Sequence, residues 1–94
     1  MEQKTYIISY DLRISETSED YQRLIKHIKD YSYWAKPLKS VWFIKTLKST
    51  IEVRDDLNKQ IDSNDGIIVI DITKSDWGTI GVSKEVTDWM RENL

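Results

Sequence analysis

The stretch that decides the fold is TYIISYDL, residues 5–12. Tyr and Ile fit the pleated, half-buried surface of a sheet, and polar residues follow Asp11, so we predict a largely buried strand. Two more runs have the same character, SVWFIKT at residues 40–46 and IIVIDI at residues 67–72. The last run is apolar at nearly every position, which predicts a strand covered on both faces.

Helical periodicity fills the gap between the first two strands. An apolar stripe with helical spacing predicts a helix over residues 18–31, capped by Thr17 or Ser18. The stripe consists of Tyr21, Leu24, Ile25, Ile28 and Tyr31. The basic side chains fall away from it, so we expect His27 at the surface. The aromatic segment YWAKP, residues 33–37, is interrupted by the only proline and is predicted as a connection.

Two further helices are marked by their caps. Ser49 or Thr50 begins the second, with Glu52 in the capping-box position, and it ends near residue 62. Residues 63–66 form a turn. We predict a loop or a short irregular strand around Trp77 over residues 73–81, and Ser83 is a candidate cap for a third helix within residues 82–94.

This order of elements predicts an α+β, ferredoxin-like fold. A small, mainly antiparallel sheet carries the two middle helices on one face, and the extra C-terminal helix needs an apolar surface of its own. The open sheet face is the candidate. If the helix covers it, the protein can be monomeric, and if the face stays bare or the helix reaches a neighbour, we expect dimerisation.

Composition places the chain among soluble globular domains. Its 94 residues are 39% hydrophobic and 32% charged, which predicts one domain over residues 1–94. Cysteine is absent, which fits a reducing cytoplasm. We expect no membrane segment and no signal peptide, because no apolar run approaches the roughly 20 residues that cross a bilayer.

The charge is distributed unevenly along the chain. The formal net charge of -2 argues against a protein that coats nucleic acid non-specifically. Residues 21–48 nevertheless carry seven basic residues against one acid, and residues 49–72 carry six acids against two basic residues. A dipolar chain presents a local basic patch to an anionic partner or docks on itself, although charged helix faces also occur simply for solubility.

Aromatic and basic side chains alternate within the basic block, which is typical of sites that stack bases and hold phosphates. Tyr33 and Trp34 are the better candidates for exposed platforms, whereas Trp42 alternates with apolar positions and is expected in the core. The predicted nucleic-acid contacts are Lys26, Lys29, Tyr33, Trp34, Lys36 and Lys39.

Asp11 and Asp71 each allow more than one interpretation. Asp11 ends the first strand, where an Asp also serves as a turn former that binds backbone amides. Asp71 lies in an apolar strand and needs a partner such as Arg13, Lys45 or Arg54, unless it sits near the exposed end of the strand.

Three short pieces carry a resemblance to a known family: Tyr10-Asp11 at a strand end, the step Ser40-Val41-Trp42, and the run from Asp65 onward. Over residues 5–72 the chain resembles the small ferredoxin-like superfamily of the CRISPR-associated adaptation protein that partners the integrase, and of VapD-type endoribonucleases. Its aromatic connection and its turn at residues 62–65 are similar to those of short bacterial proteins labelled SinR-like.

The resemblance implies a symmetric homodimer in which Asp11 of each subunit lies near the two-fold axis. The paired carboxylates would hold one Mg²⁺ or Mn²⁺ that activates water for phosphodiester attack. Phe43 occupies the position at which the family has an acidic residue. The resemblance therefore implies a degenerate nuclease that acts on RNA or DNA. The alternative is a non-catalytic interaction module, an antitoxin or regulator that binds a protein partner.

Overall fold

The computed structural model describes residues 2–11, 18–61 and 65–94. Within these ranges lie four strands and three helices. In chain order they are β1 (Lys4–Asp11), α1 (Ser18–Lys29), β2 (Tyr33–Leu38), β3 (Val41–Thr46), α2 (Thr50–Asn58), β4 (Gly66–Asp71) and α3 (Lys84–Asn93). No described helix is long and apolar enough to span a membrane.

The four strands form one antiparallel sheet in the order β2-β3-β1-β4. β1 and β2, which are connected through α1, are therefore not neighbours in the sheet. The same is true of β3 and β4, which are connected through α2. This is the predicted ferredoxin-like α+β arrangement.

The pleat separates two apolar faces. Tyr6, Ile8 and Tyr10 of β1 point toward α1 and α2 and are almost completely buried there. Trp42 and Ile44 of β3 lie beside them in register, and Trp42 is only 1% exposed, as expected of a core residue. Leu24, Ile28, Val53 and Leu57 of the two helices complete this core.

Helix α3 covers part of the opposite face, as the apolar stripe of the last segment predicts. Met90 is buried against Ala35 and Phe43, and the Trp89 ring stacks on the Phe43 ring at 6.0 Å between centroids and 11° between planes. The hydroxyl of Thr5 donates to the carbonyl of Asn93, which fixes the end of the helix to β1.

The other end of this face stays uncovered. Register places Leu38, Val41, Ser9 and Ile68 in one row across the four strands, with Ile70 next to it on β4. We call these five residues the open strip. Leu38, Ile68 and Ile70 are each more than half exposed. The prediction that β4 is covered on both faces is therefore wrong, because α3 lies across the β3 side of the sheet and does not reach these isoleucines.

The predicted connection at residues 33–37 is also wrong, because it belongs to β2. Proline lacks a donor, but an edge strand tolerates it where no ladder hydrogen bond is needed. Here Pro37 sits in a register irregularity between Ala35 and Leu38 at the edge of the sheet. A two-residue turn, Lys39 and Ser40, then joins β2 to β3.

Both predicted caps in the second half of the chain are confirmed. The Ser49 hydroxyl accepts from the Glu52 amide at 3.2 Å, and the Glu52 carboxylate accepts from the Ser49 amide at 2.9 Å. Ser83 caps α3 through the amide of Val86. The predicted cap Thr17, the partner Arg13 and residues 63 and 64 of the predicted turn lie outside the described residues.

Candidate nucleic-acid interface

The edge of the sheet next to α1 brings together two tryptophans and two lysines, Lys29, Trp34, Lys36 and Trp42, which we call the edge cluster. The Lys29 ammonium lies 5.2 Å from the Trp34 ring centroid and 5.9 Å from that of Trp42. The Lys36 ammonium lies 5.2 Å from the Trp42 centroid. Both ammonium groups thus lie near the buried indole of Trp42, and the quadrupole of its ring attracts them.

Local structure explains why these side chains meet. Strand alternation places Trp34 and Lys36 on the same face of β2, and Lys29 reaches them from the last turn of α1. Trp42 is fixed from below, since its indole N–H donates to the Tyr10 hydroxyl at 3.3 Å. The Trp34 ring rests on Trp42, with 5.5 Å between centroids and a 56° tilt.

The lysines of the edge cluster have no acidic partner in the part of the chain that the structure describes. Among the described residues, no carboxylate forms an ion pair with Lys29 or Lys36. The same holds for Lys26, one turn earlier on α1, and for Lys39 in the β2–β3 turn, both of which are exposed. An anion is the partner that such a group of cations lacks.

Tyr33 does not belong to the cluster. It pairs in register with Lys45, so its side chain projects from the face opposite to that of Trp34. Tyr33 and Trp34 were predicted together as exposed aromatic platforms, because no pattern in the sequence indicates a strand at these positions. Both rings are exposed, at 48% and 38%, but they face different sides of the sheet.

Asp11 lies at the end of β1, opposite Gly66 of β4, and is exposed. A shallow pocket of about 260 Å³ adjoins it, lined also by Ser9, Tyr10 and Ile68. Asp11 therefore borders the open strip. Within the described residues, no three His, Cys, Asp or Glu side chains gather as metal ligands. A complete set of protein ligands for Mg²⁺ is therefore not present among the described residues around Asp11, and further oxygen ligands would come from water, a second copy or substrate phosphates.

A second polar cluster was missed by sequence reasoning. Oδ2 of Asp56 accepts from the Tyr31 hydroxyl at 2.6 Å and contacts His27 Nε2 at 3.0 Å and Lys48 Nζ at 3.4 Å. The side chain of His27 is only 27% exposed, so its predicted place at the free surface is wrong. The helical projection could not reveal this contact, because Asp56 approaches from α2.

These contacts shift two pKa values. Burial opposes ionisation of Asp56, but the hydrogen bonds from Tyr31 and His27 and the nearby charges of His27 and Lys48 outweigh it and lower the pKa of Asp56. Burial together with the hydrogen bond to Asp56 raises the pKa of the Tyr31 hydroxyl. The cluster borders an open pocket of about 430 Å³ at the junction of α1, α2 and the end of β3.

Asp71 lies at the exposed end of β4, the second of its two predicted settings. Its Oδ1 accepts from the hydroxyl of Thr73 at 2.6 Å and from the amide of Thr73 at 2.9 Å, and these bonds lower the pKa of Asp71. Lys4 lies 3.9 Å from its other oxygen. Asp71 therefore fixes the turn after β4.

Comparison with known families shows which family the fold belongs to. The model of the family described as CRISPR associated protein Cas2 matches residues 4–80, which include the four described strands and the first two described helices. Helix α3 lies beyond the match. Neither the comparison with curated proteins nor that with solved structures gave a match.

Proposed function

Since the chain belongs to the CRISPR associated protein Cas2 family, we propose that it is a homodimeric, cytoplasmic adaptation protein that binds nucleic acid through the edge cluster. Lys29 and Lys36 supply the central phosphate contacts, and Lys26 and Lys39 extend them to either side. The resemblance to SinR-like proteins remains a prediction about its nearest relatives.

The observation that carries this proposal is the pair of ammonium groups around Trp42, with which no carboxylate of the described residues pairs. Lys84, by contrast, is an exposed lysine that Asp88 neutralises at 2.8 Å. Lys29 and Lys36 instead lie against aromatic rings, which hold a cation in place without cancelling its charge. A phosphate that displaces counterions gains free energy at such a site.

The acidic remainder of the chain restricts this binding to one side. Helix α2 carries Glu52, Asp55 and Asp56, and it packs on the β4 side of the sheet, away from β2. Nucleic acid is repelled there and attracted at the edge cluster. A local patch on an acidic protein predicts oriented binding rather than non-specific coating.

A second candidate function is a metal-dependent endonuclease, favoured by the position of Asp11 beside the uncovered open strip. Two copies that associate through this strip would bring their Asp11 carboxylates toward a common axis. Carboxylates in this arrangement would hold Mg²⁺ or Mn²⁺, and the metal would supply an activated water for phosphodiester hydrolysis. Helix α3 leaves this end of the face accessible, so it does not block such a dimer.

The decisive experiment incubates the protein with single- and double-stranded RNA and DNA, with Mg²⁺, with Mn²⁺ and with a chelator. We expect salt-sensitive binding that Lys36→Glu weakens at least tenfold. Lys59→Glu, which makes the same charge change on an exposed residue at the end of α2, should bind nearly as well as the parent. Equal losses in both variants would contradict a local site.

The same reactions test the nuclease. Cleavage that is abolished by the chelator and by Asp11→Ala would establish the metal-dependent activity. Binding without cleavage would leave the protein as a nucleic-acid-binding component. Absence of any interaction with all four polymers would refute both candidates and favour the module that binds a protein partner, for which the open strip is the available apolar surface.

A further inference from the structure

We propose that the polar cluster around Asp56 positions Lys29 for nucleic-acid binding, although this cluster lies outside the edge cluster. The inference rests on the proposed function and adds residues that control how well its lysine is placed. It is carried by two partners of Asp56, His27 and Tyr31, which stand two residues before and two residues after Lys29 in the chain.

Both partners contact the same carboxylate oxygen. Asp56 Oδ2 lies 3.0 Å from His27 Nε2 and accepts from the Tyr31 hydroxyl at 2.6 Å. His27 belongs to the last turn of α1. Tyr31 follows the helix, and its amide donates to the Ile28 carbonyl at 3.1 Å. The segment that contains Lys29 therefore has both of its ends fixed to one side-chain atom of α2.

Helical geometry places Lys29 on the other side of α1. Residues two apart in a helix are separated by about 200° around its axis, so the side chain of Lys29 projects away from that of His27. His27 accordingly lies toward Asp56 of α2, whereas the Lys29 ammonium lies 5.2 Å from the centroid of the Trp34 ring on β2. The Asp56 contact and the edge cluster thus hold opposite sides of the same helical turn.

Lys48 supports the contact from a third segment. Its ammonium lies 3.4 Å from Asp56 Oδ2 and 5.2 Å from the centroid of the Tyr31 ring, so it covers both groups from the β3–α2 connection. The Asp56 side chain is 19% exposed, and a charged hydrogen bond that is shielded in this way is stronger than one in open water. An anchored helix end leaves less freedom for Lys29 to lose when a phosphate binds.

The direction of the change in affinity separates positioning from a simple change of charge. Asp56→Asn removes a negative charge, which by itself would strengthen the attraction of a polyanion. Positioning predicts a loss of affinity, because an amide oxygen is a weaker acceptor for the His27 and Tyr31 donors. Asp55 is the matched control, since it is the adjacent residue of α2 and pairs with Arg54 on the same helix.

The test measures fluorescence anisotropy of labelled single- and double-stranded RNA and DNA with the intact protein, under conditions where circular dichroism shows every variant folded. We expect Asp56→Asn to weaken the affinity for the polymer that the parent binds most tightly by about threefold. Asp55→Asn, which makes the same charge change, should leave this affinity unchanged or slightly increase it. In a Lys29→Gln background, Asp56→Asn should not weaken the affinity further, because the residue that it positions is absent.

Tyr31→Phe is a milder second variant. It removes only the hydroxyl that donates to Asp56 and keeps the ring that Lys48 covers. We expect a loss of affinity of about twofold, which also disappears in the Lys29→Gln background. The positioning role fails, while the proposed function survives, if Asp56→Asn binds as tightly as Asp55→Asn, if Tyr31→Phe loses no affinity, or if the losses persist in full without Lys29. If the parent binds none of the four polymers, the proposed function fails and the positioning role fails with it.

Discussion

The half-buried carboxylate of Asp56 connects three segments that are distant in sequence. Its Oδ2 atom contacts His27 from α1, Tyr31 from the α1–β2 connection and Lys48 from the β3–α2 connection. Removing the charge leaves these donors with a weaker acceptor. We expect Asp56→Asn to lower the free energy of unfolding by about 1 to 3 kcal/mol, measured by urea denaturation at neutral pH.

Asp55 is the matched control for this substitution. It is the neighbouring residue, 59% exposed, and it pairs only with Arg54 among the described residues. Asp55→Asn should change the free energy of unfolding by less than about 0.5 kcal/mol. Equal effects of the two substitutions would mean that the contacts of Asp56 contribute nothing specific.

The lowered pKa of Asp56 predicts how its contribution to the free energy of unfolding depends on pH. Because its pKa is lower in the folded than in the unfolded chain, the unfolded state binds more protons in the acidic range. The stabilisation is complete above the unfolded pKa of about 4 and is lost as the pH falls through the folded value. The stability difference between the parent and Asp56→Asn should therefore shrink as the pH falls below about 4.

At the scale of elements, α3 is the part of the fold that the family match does not include, and its attachment can be tested alone. Met90 is 4% exposed and lies between Ala35 and Phe43 of the sheet. We expect Met90→Ala to lower the free energy of unfolding by roughly 2 to 3 kcal/mol through lost packing and a cavity. Glu85→Ala, on an exposed position of the same helix, should have little effect, and an equal loss there would mean that the packing of Met90 contributes nothing specific.

The elements also show what a single sequence could predict. Three strands and three helices follow from apolar runs, periodicity and caps, because these signals are local to each element. β2 escaped prediction because an edge strand of six residues needs little apolar surface and tolerates Pro37. The lysines and Trp34 of the edge cluster were named from composition, but separating Tyr33 from Trp34 required the alternation of that unpredicted strand. The contact of His27 with Asp56 depends on how α1 and α2 pack, which no local pattern encodes.

The proposed function requires an acidic chain to bind a polyanion. The formal charge of -2 would repel nucleic acid at long range, and only the arrangement of charges would produce attraction at one side. If binding depends on a local patch, the affinity should change with the position of the charge that is removed and not with the net charge of the protein. Salt dependence measures this directly, because each phosphate contact to a single strand contributes a slope of about −0.7 in log affinity against log salt.

We therefore expect the double variant Lys29→Gln/Lys36→Gln to bind a single-stranded thymidine homopolymer more weakly and with a salt slope shallower by about 1.4. The control is Lys59→Gln/Lys74→Gln, which removes the same two charges from exposed positions outside the edge cluster. Both variants carry the same net charge, so a field that depended on net charge alone would change both slopes alike. A shallower slope confined to the first variant would locate the phosphate contacts at Lys29 and Lys36, because only counterions released at the binding site enter the slope.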